Sequence, residues 1–265
     1  MNRLIAVCVL VGIIHMTDTL SLSVRWVGIK VGRVVTAASL FNILVLISRT
    51  ANLLQAPMVG KMVDLAIRNH ETLPLLINFR LIILSSTFGT VAGILLMPTF
   101  INVFGKLILL FEREGSILKL FFRILRPKSF VNSFNDFVVP SKETVGKNIF
   151  ENIPKKFFFF QLFITGFYTI GVLSALYAGA IVPQYRVTAS QLSGIINGIA
   201  TVLFMVFVDP SVAVITDQAL RQIRPQKDVR NIVIVLTIAR LMGTILAQLL
   251  IVPCAFLVAK VATKM

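Results

Sequence analysis

The stretch PMVGKMVDLAIR, residues 57–68, recurs in the second half of the chain as PSVAVITDQALR, residues 210–221. Proline, valine, aspartate, alanine and arginine coincide at a constant offset of 153 residues. The same offset aligns further pairs, namely Leu20-Ser21 with Leu173-Ser174 and Arg33-Val34 with Arg186-Val187. A one-residue slip aligns GTVAGILL, residues 89–96, with GTILAQLL, residues 243–250. So many matches indicate an internal duplication, and the chain is therefore expected to fold as two related halves.

The composition is that of a membrane protein. Of 265 residues, 57% are hydrophobic and 14% are charged, and the mean hydropathy is +0.89. These values nearly exclude a water-soluble domain. The net charge of +15 comes from bases that lie between long apolar runs. That distribution is typical of a protein flanked by anionic lipid headgroups and argues against a nucleic-acid binder.

Six apolar stretches are long enough to cross the bilayer as helices, at about 20 residues each. They run from 4 to 24, 34 to 56, 81 to 104, 157 to 182, 188 to 208 and 232 to 258. Each copy of the repeat then holds three spans, and an odd number reverses the direction of the second copy. The sequence thus predicts an all-α membrane protein with six transmembrane helices as two inverted three-helix repeats, residues 1–104 and 157–265, a plan that secondary transporters use.

A basic segment, residues 105–156, separates the two repeats and holds ten of the 26 lysines and arginines. Residues 105–127 mix leucine, isoleucine and phenylalanine with charges at helical spacing, which predicts an amphipathic helix in the interface plane. Residues 128–156 are polar and turn-rich and indicate a solvated connector. By the positive-inside rule this segment is cytoplasmic and both termini lie outside.

In each repeated stretch a proline, Pro57 or Pro210, is expected to begin a short amphipathic helix, where its missing N–H costs nothing. An aspartate and an arginine four residues apart, at 64 and 68 and again at 217 and 221, can pair on one face. These helices either belong to the transport machinery or cap the bundle surface. Two small-residue motifs, GTVAG (89–93) and GIING (194–198), fit close helix packing.

Ionisable residues lie inside the predicted spans. In HMTDTLSLSVR, residues 15–25, His15, Asp18 and Arg25 fall within an arc of about 80° on a helix. Arg49 and Arg240 lie in other apolar runs. A charge at a helix centre costs roughly 2.5 to 3.5 kcal/mol, so these groups require mutual pairing or a wet cavity.

Two interpretations of these charges stay open. Asp18 pairs with a buried arginine and only holds the bundle together, or the excess of arginine forms an anion site that binds phosphate oxygens. The repeat does not duplicate them: the counterparts of Arg49, Arg240, His15 and Asp18 are Val202, Ser86, Tyr168 and Gly171. That asymmetry favours a specialised site. His15 with Asp18 is either a proton relay or a simple hydrogen-bonding group.

The sequence contains no phosphate-binding GxxxxGK[ST], no GxSxG and no HExxH motif. Two histidines and two cysteines in apolar stretches do not indicate a metal centre or a disulfide framework. We therefore expect no cofactor and no metal, with an ionic, electrical or substrate gradient as the energy source.

Residues 13–64 carry a denser pattern. A histidine is followed three residues later by an acid, then Thr19-Leu20, then Arg25 seven positions beyond the acid, then SLFNILVLISRTAN and Gln55-Ala56-Pro57. This run resembles the Amj family of bacterial lipid II flippases, alternates to the MurJ flippase. Asp18 stands where that family often has glutamate, which shortens its reach.

The resemblance implies a flippase that moves undecaprenyl-pyrophosphate-linked peptidoglycan precursor across the bacterial cytoplasmic membrane, for cell wall biogenesis. Its partners would be lipid II and membrane lipids, without nucleic acid, and a homodimer is one oligomeric state to test. The residues predicted to contact the headgroup are Arg25, Arg49, Arg240, Asn52 and Gln55. The residues predicted to couple movement or stabilise the bundle are His15, Asp18, Asp64 and Asp217.

Two other functions remain as alternatives. An intramembrane enzyme acting on a prenyl pyrophosphate would use Asp18 and His15 as acid and base, but the sequence lacks an acidic metal-binding motif. A non-catalytic membrane assembly subunit would have little need for buried charges that the repeat does not duplicate.

Overall fold

The computed structural model describes residues 2–115, 149–150 and 152–265, with the side chains at 43, 44, 47 and 114 excepted. Within these residues the regular elements are all helical. The α-helices are α1 (Asn2–Ser21), α2 (Val24–Val31), α3 (Val34–Asn69), α4 (Thr72–Glu114), α5 (Lys156–Ile181), α6 (Arg186–Leu203), α7 (Asp209–Leu220) and α8 (Gln226–Ala262). A π-helical turn, Phe204–Val208, joins α6 to α7.

Helices suit this composition because a helix satisfies its own backbone hydrogen bonds in an apolar solvent. Five helical stretches in the described part of the chain are long and apolar enough to cross a membrane. They are Asn2–Val31, Thr72–Arg113, Lys156–Ile181, Pro183–Leu220 and Gln226–Ala262. The second predicted span, 34–56, lies on the 36-residue helix α3, which is not among the five. The all-helical fold is confirmed for the described residues, and six spans stay a prediction.

Two predicted helix boundaries differ from the structure. Pro57 lies inside α3, so the prediction that it begins a separate helix is wrong. An intramembrane helix continues through proline where neighbouring helices compensate for the lost hydrogen bond. Pro210 does stand at the start of α7. The third predicted span ends at residue 104, but α4 continues without a break to Glu114. Most of the predicted interfacial helix and connector, at 116–148 and 151, lies outside the described residues.

The two halves of the chain pack in the same order. In the first half, α1 packs most extensively on α4 and then on α3. In the second half, α5 packs most extensively on α8 and then on α6. The largest apolar cluster joins the halves, with Val7, Val59, Phe79, Ile170 and Ile251 all buried in it. The core therefore lies between the two halves as well as within each.

Helix boundaries and crossings also recur along the chain. Helices α3 and α4 begin at Val34 and Thr72. Adding the repeat offset of 153 to these residue numbers gives positions within one residue of the starts of α6 and α8. A Cβ atom at Gly89 would overlap the carbonyl of Gly12, so α1 and α4 cross almost in backbone contact. A Cβ atom at Gly243 would lie 2.6 Å from the Leu162 carbonyl oxygen, where α5 crosses α8. Glycine is required at both crossings.

The two predicted small-residue motifs have different surroundings. Gly89 and Gly93 of GTVAG both face α1, where a Cβ at Gly93 would lie 2.8 Å from the Thr19 Cβ. A Cβ atom added at Gly194 or Gly198 of GIING would have no atom of another described element within 4 Å. The close-packing prediction is confirmed for the first motif and is wrong for the second, because that face of α6 has no helix against it in the described residues.

Candidate functional site

A cavity of about 300 Å³ lies between the two halves of the chain. Helices α1, α3 and α4 supply one side of its wall, and α5 and α6 supply the other. Its polar lining consists of His15, Ser48, Arg49, Asn52, Gln55, Tyr168, Thr169 and Asn197. The remaining lining is apolar, from residues such as Val11, Ile82 and Leu173. The cavity thus combines one permanent cation with several neutral hydrogen-bonding groups.

Arg49, Asn52 and Gln55 reach this cavity because they lie three residues apart on α3, which places them along one face. Arg49 is exposed and forms no ion pair with any described carboxylate. Gln55 is 7% exposed, at the buried end of the row. The structure brings these three predicted headgroup residues together with His15.

Two buried polar atoms on residues that line the cavity have no hydrogen-bond partner among the described residues: Nδ1 of His15 and Oδ1 of Asn197. His15 itself is 4% exposed. A buried donor or acceptor left unpaired costs about 1 to 3 kcal/mol. Such atoms beside a cavity are typical of a site where a ligand or an ordered water supplies the missing partner.

Asp18 and Arg240 form an ion pair next to this cavity. Arg240 Nη2 donates to Asp18 Oδ2 at 2.9 Å, and the two side chains are 10% and 22% exposed for Arg240 and Asp18 respectively. The pair joins α1 to α8 and so connects the two halves. Asp18 lies one helical turn after His15, which lines the cavity. Asp18 therefore has the arginine partner that one of the two sequence interpretations expected.

Arg25 lies elsewhere. It pairs with the Asp209 carboxylate and also donates to the Asp209 carbonyl at 3.1 Å, joining α2 to α7. The prediction that Arg25 shares one helical stripe with His15 and Asp18 is wrong, because α1 ends at Ser21. The Ser21 hydroxyl donates to the Asp18 carbonyl, and the Ser23 hydroxyl donates to the Leu20 carbonyl. Such side-chain hydrogen bonds compete with the backbone hydrogen bonds of a helix.

The repeated aspartates lie near helix ends and not in the cavity. Asp217 Oδ2 is 3.0 Å from Arg221 Nε, which confirms the predicted pairing four residues apart. Asp64 instead has Arg186 of the second half as its partner, with 4.0 Å between Oδ1 and Nη1. The predicted ion pair of Asp64 with Arg68 is absent from the described structure, where Asp64 pairs with Arg186 instead.

Sequence reasoning missed four participants. Tyr168 and Asn197 line the cavity, while Asp209 and Arg186 supply partners from the second half. One signal was present for Tyr168, because it is the repeat counterpart of His15 and the two line the same cavity. Asn197 also stands out as an amide within an apolar run. No group of three or more potential metal ligands occurs among the residues that the structure describes.

A family model described as "Amj: Alternate to MurJ" matches residues 10–262. A protein of Bacillus subtilis (strain 168), named "Lipid II flippase Amj", is 38% identical over 248 residues, covering 93% of this chain and 92% of its own. No solved structure matches the chain. With the match spanning nearly all of the apolar helices, this multi-pass membrane protein belongs to the Amj family.

Proposed function

We propose that this protein is a lipid II flippase, which translocates the undecaprenyl-pyrophosphate-linked peptidoglycan precursor across the bacterial cytoplasmic membrane. The name of the Bacillus subtilis relative supports this substrate. The observation that carries the proposal is Arg49, an arginine without a carboxylate partner among the described residues, in a polar cavity between the two halves. The protein acts as a transporter and forms or breaks no covalent bond.

Arg49 binds the pyrophosphate in this proposal. A guanidinium group donates two parallel hydrogen bonds to phosphate oxygens and keeps its charge when it is desolvated. Asn52 and Gln55, on the same face of α3, donate to and accept from the sugar or peptide. The unpaired atoms of His15 and Asn197 gain partners when the headgroup enters.

Arg240 and Arg25 have indirect roles, because each already has a carboxylate partner. The Asp18–Arg240 pair places a charged group beside the cavity, where an incoming anion competes with Asp18 for the guanidinium. Such a competition couples substrate entry to the contact between the two halves. Arg25 with Asp209 holds α2 against α7 on another part of the same interface.

We infer that transport proceeds by alternating access between two inverted three-helix repeats, residues 1–104 and 157–265, with six spans in total. Support comes from the recurring helix starts, the glycine crossings and the parallel packing order of the halves. Substrate sites of inverted-repeat transporters lie where the repeats meet. His15 and Tyr168, which are repeat counterparts, both line the cavity between the halves.

In this arrangement residues 105–156 are cytoplasmic and both termini lie outside, as the distribution of lysine and arginine favours. The cavity, at about 300 Å³, lies at the lower end of the range for ligand pockets, roughly 300 to 1,000 Å³. It therefore holds the pyrophosphate with part of the headgroup, and the halves move apart to pass the rest. The polyprenyl tail stays in the lipid beside the bundle.

The enzyme alternative is less well supported. It requires Asp18 and His15 to exchange a proton with a substrate, but Asp18 is held by Arg240. An assembly subunit would not need an unpaired arginine in a cavity, since a charge in the membrane carries a cost.

The test uses purified protein in liposomes that contain fluorescently labelled lipid II, with headgroup exposure followed by an impermeant quencher. We expect transfer without chemical change in the wild type, loss of transfer in R49Q and partial activity in R49K, which keeps the charge but not the bidentate geometry. Arg3, exposed near the start of α1, gives the matched control R3Q. Release of the pyrophosphate would favour the enzyme, and full activity of R49Q would exclude the proposed anion site.

A further inference from the structure

Two arginines and two aspartates recur at the repeat offset and lie at helix ends. Arg33 corresponds to Arg186, and Asp64 corresponds to Asp217. These four residues allow two equivalent contacts between the halves, Arg186 with Asp64 and Arg33 with Asp217. The structure contains the first of these contacts. We call it the formed pair and call Arg33 with Asp217 the unformed pair.

The formed pair connects the start of α6 to the last third of α3. Arg186 Nη1 and Asp64 Oδ1 are 4.0 Å apart, and the side chains are 56% and 63% exposed. Ion pairs as exposed as this are weak, so they break and re-form readily. The formed pair can therefore hold one conformation without locking it.

Both members of the unformed pair are engaged within their own half. Arg33 Nε contacts Glu112 Oε1 at 2.5 Å, and Asp217 Oδ2 contacts Arg221 Nε at 3.0 Å. The repeat counterpart of Arg221 is Arg68, which lies four residues after Asp64. If the halves exchanged conformations, Asp64 would turn to Arg68 and Asp217 would be free to meet Arg33.

The elements that carry the unformed pair contact one another. Val34, next to Arg33, packs against the apolar cluster that contains Ile215 and Ala219, which flank Asp217 by two residues on either side. Helices α2 and α7 are in contact. The two charges thus lie on neighbouring elements, and the unformed pair requires α7 to shift along α2 until they meet.

The proposed six spans include α3, which would put the two pairs on opposite faces of the membrane. Arg33 immediately precedes α3 and Asp64 lies near its end, so about 31 residues of helix place them roughly 45 Å apart. The apolar core of a bilayer is only about 30 Å thick. Because α3 is continuous, a contact at one of its ends cannot share a face with a contact at the other.

We propose that the two pairs are alternating latches: Arg186–Asp64 closes one face in the conformation seen here, and Arg33–Asp217 closes the opposite face when the cavity opens the other way. This inference rests on the proposed inverted repeats and on transport by alternating access. In this proposal four charged residues outside the cavity position the two halves and do not contact the substrate.

Charge exchange tests the unformed pair. In the present conformation R33D faces Glu112 and D217R faces Arg221, so the two changes would add like-charge contacts and their losses would accumulate. If Arg33 and Asp217 meet during transport, R33D and D217R each slow lipid II transfer by about two- to fivefold, and the double variant is faster than the slower single variant although it keeps both like-charge contacts. A double variant at or below the slower single variant would overturn the proposal.

Cysteine cross-linking gives a readout that does not depend on transport. The two native cysteines, Cys8 and Cys254, are free and are first changed to alanine. The pairs R186C/D64C and R33C/D217C are then oxidised in liposomes, and R33C/D64C, at opposite ends of α3, is the control that must not cross-link within one chain. Both test pairs are expected to cross-link and to be released by reduction.

A reporter, N52C, then shows which face of the cavity is open. We expect an impermeant maleimide to label it from one side with R186C/D64C cross-linked and only from the other side with R33C/D217C cross-linked. Labelling from the same side in both states, or no R33C/D217C cross-link, would rule out alternating latches. If instead the side changes but the wild-type protein, which keeps Asn52, does not move lipid II, the proposed substrate is wrong and the latches stand.

Discussion

At the scale of single residues, the arginines differ most in whether a carboxylate already neutralises them. Arg240 and Arg25 have such partners in Asp18 and Asp209, whereas Arg49 faces the cavity without one. A buried pair that loses one member leaves an uncompensated charge, which is costly in a medium with little water. We therefore expect the Asp18–Arg240 pair to affect stability and the proposed role of Arg49 to be in binding.

Replacing Asp18 with Asn is expected to lower the free energy of unfolding by about 3 kcal/mol, because Arg240 stays buried without a counter-charge. Thermal unfolding in detergent measures the change. D18N/R240Q should lose less than the two single variants combined, since no charge is then left unpaired. Purely additive losses would show that the two side chains do not stabilise one another.

Asn197 is expected to affect transport more than stability. Its Oδ1 atom is buried without a partner, so N197A removes an unpaired acceptor and should not lower the free energy of unfolding. Transfer of labelled lipid II should nevertheless slow if that atom binds the headgroup. A destabilised N197A protein with normal transfer would assign Asn197 to packing.

At the scale of helices, close crossings at glycine fix how each half is built. The Gly12–Gly89 crossing brings α1 and α4 together, and Gly243 does the same for α5 and α8. Helices in lipid associate largely through packing of this kind, since burial from water does not drive them together. A side chain at these positions must displace backbone, which no rotamer change can relieve.

Substituting Gly89 by Ala is therefore expected to destabilise the protein by about 1 to 3 kcal/mol, the usual cost of overpacking. Gly194→Ala is the matched control, because nothing lies within 4 Å of a Cβ atom there. Alanine favours the helix over glycine by roughly 0.5 to 1 kcal/mol, so the control should be neutral or stabilising. Unfolding temperatures of the two variants, compared in the same detergent, decide the point.

At the scale of the whole molecule, the sequence patterns predicted the helical class and the positions of five apolar helical segments, because hydropathy reports directly on the surrounding solvent. They also predicted Arg49, Asn52 and Gln55 as headgroup residues, and helical spacing places these three along one face of α3. The sequence patterns did not predict the break between α1 and α2, because serine hydroxyls compete locally with the helix and leave the hydropathy unchanged. The partners Asp209 and Arg186 escaped because contacts about 120 or more residues apart leave no local pattern.

The predicted topology can be measured with reporter fusions. Alkaline phosphatase, which is active only outside the cytoplasm, should be active when fused after Met265 and inactive when inserted at residue 130. Six spans with both termini outside require that outcome. An inactive fusion after Met265 would place the C-terminus inside and reverse the proposed orientation.

The length of α4 has a consequence for the surrounding lipid. Its 43 residues make a rod of about 65 Å, and even a tilt of 40° leaves roughly 50 Å along the bilayer normal, more than the 40 to 45 Å of a typical bilayer with its headgroups. The rod must therefore emerge into water on at least one side. Thicker membranes would submerge more of it, so we expect bilayer thickness to change the rate of the proposed transport.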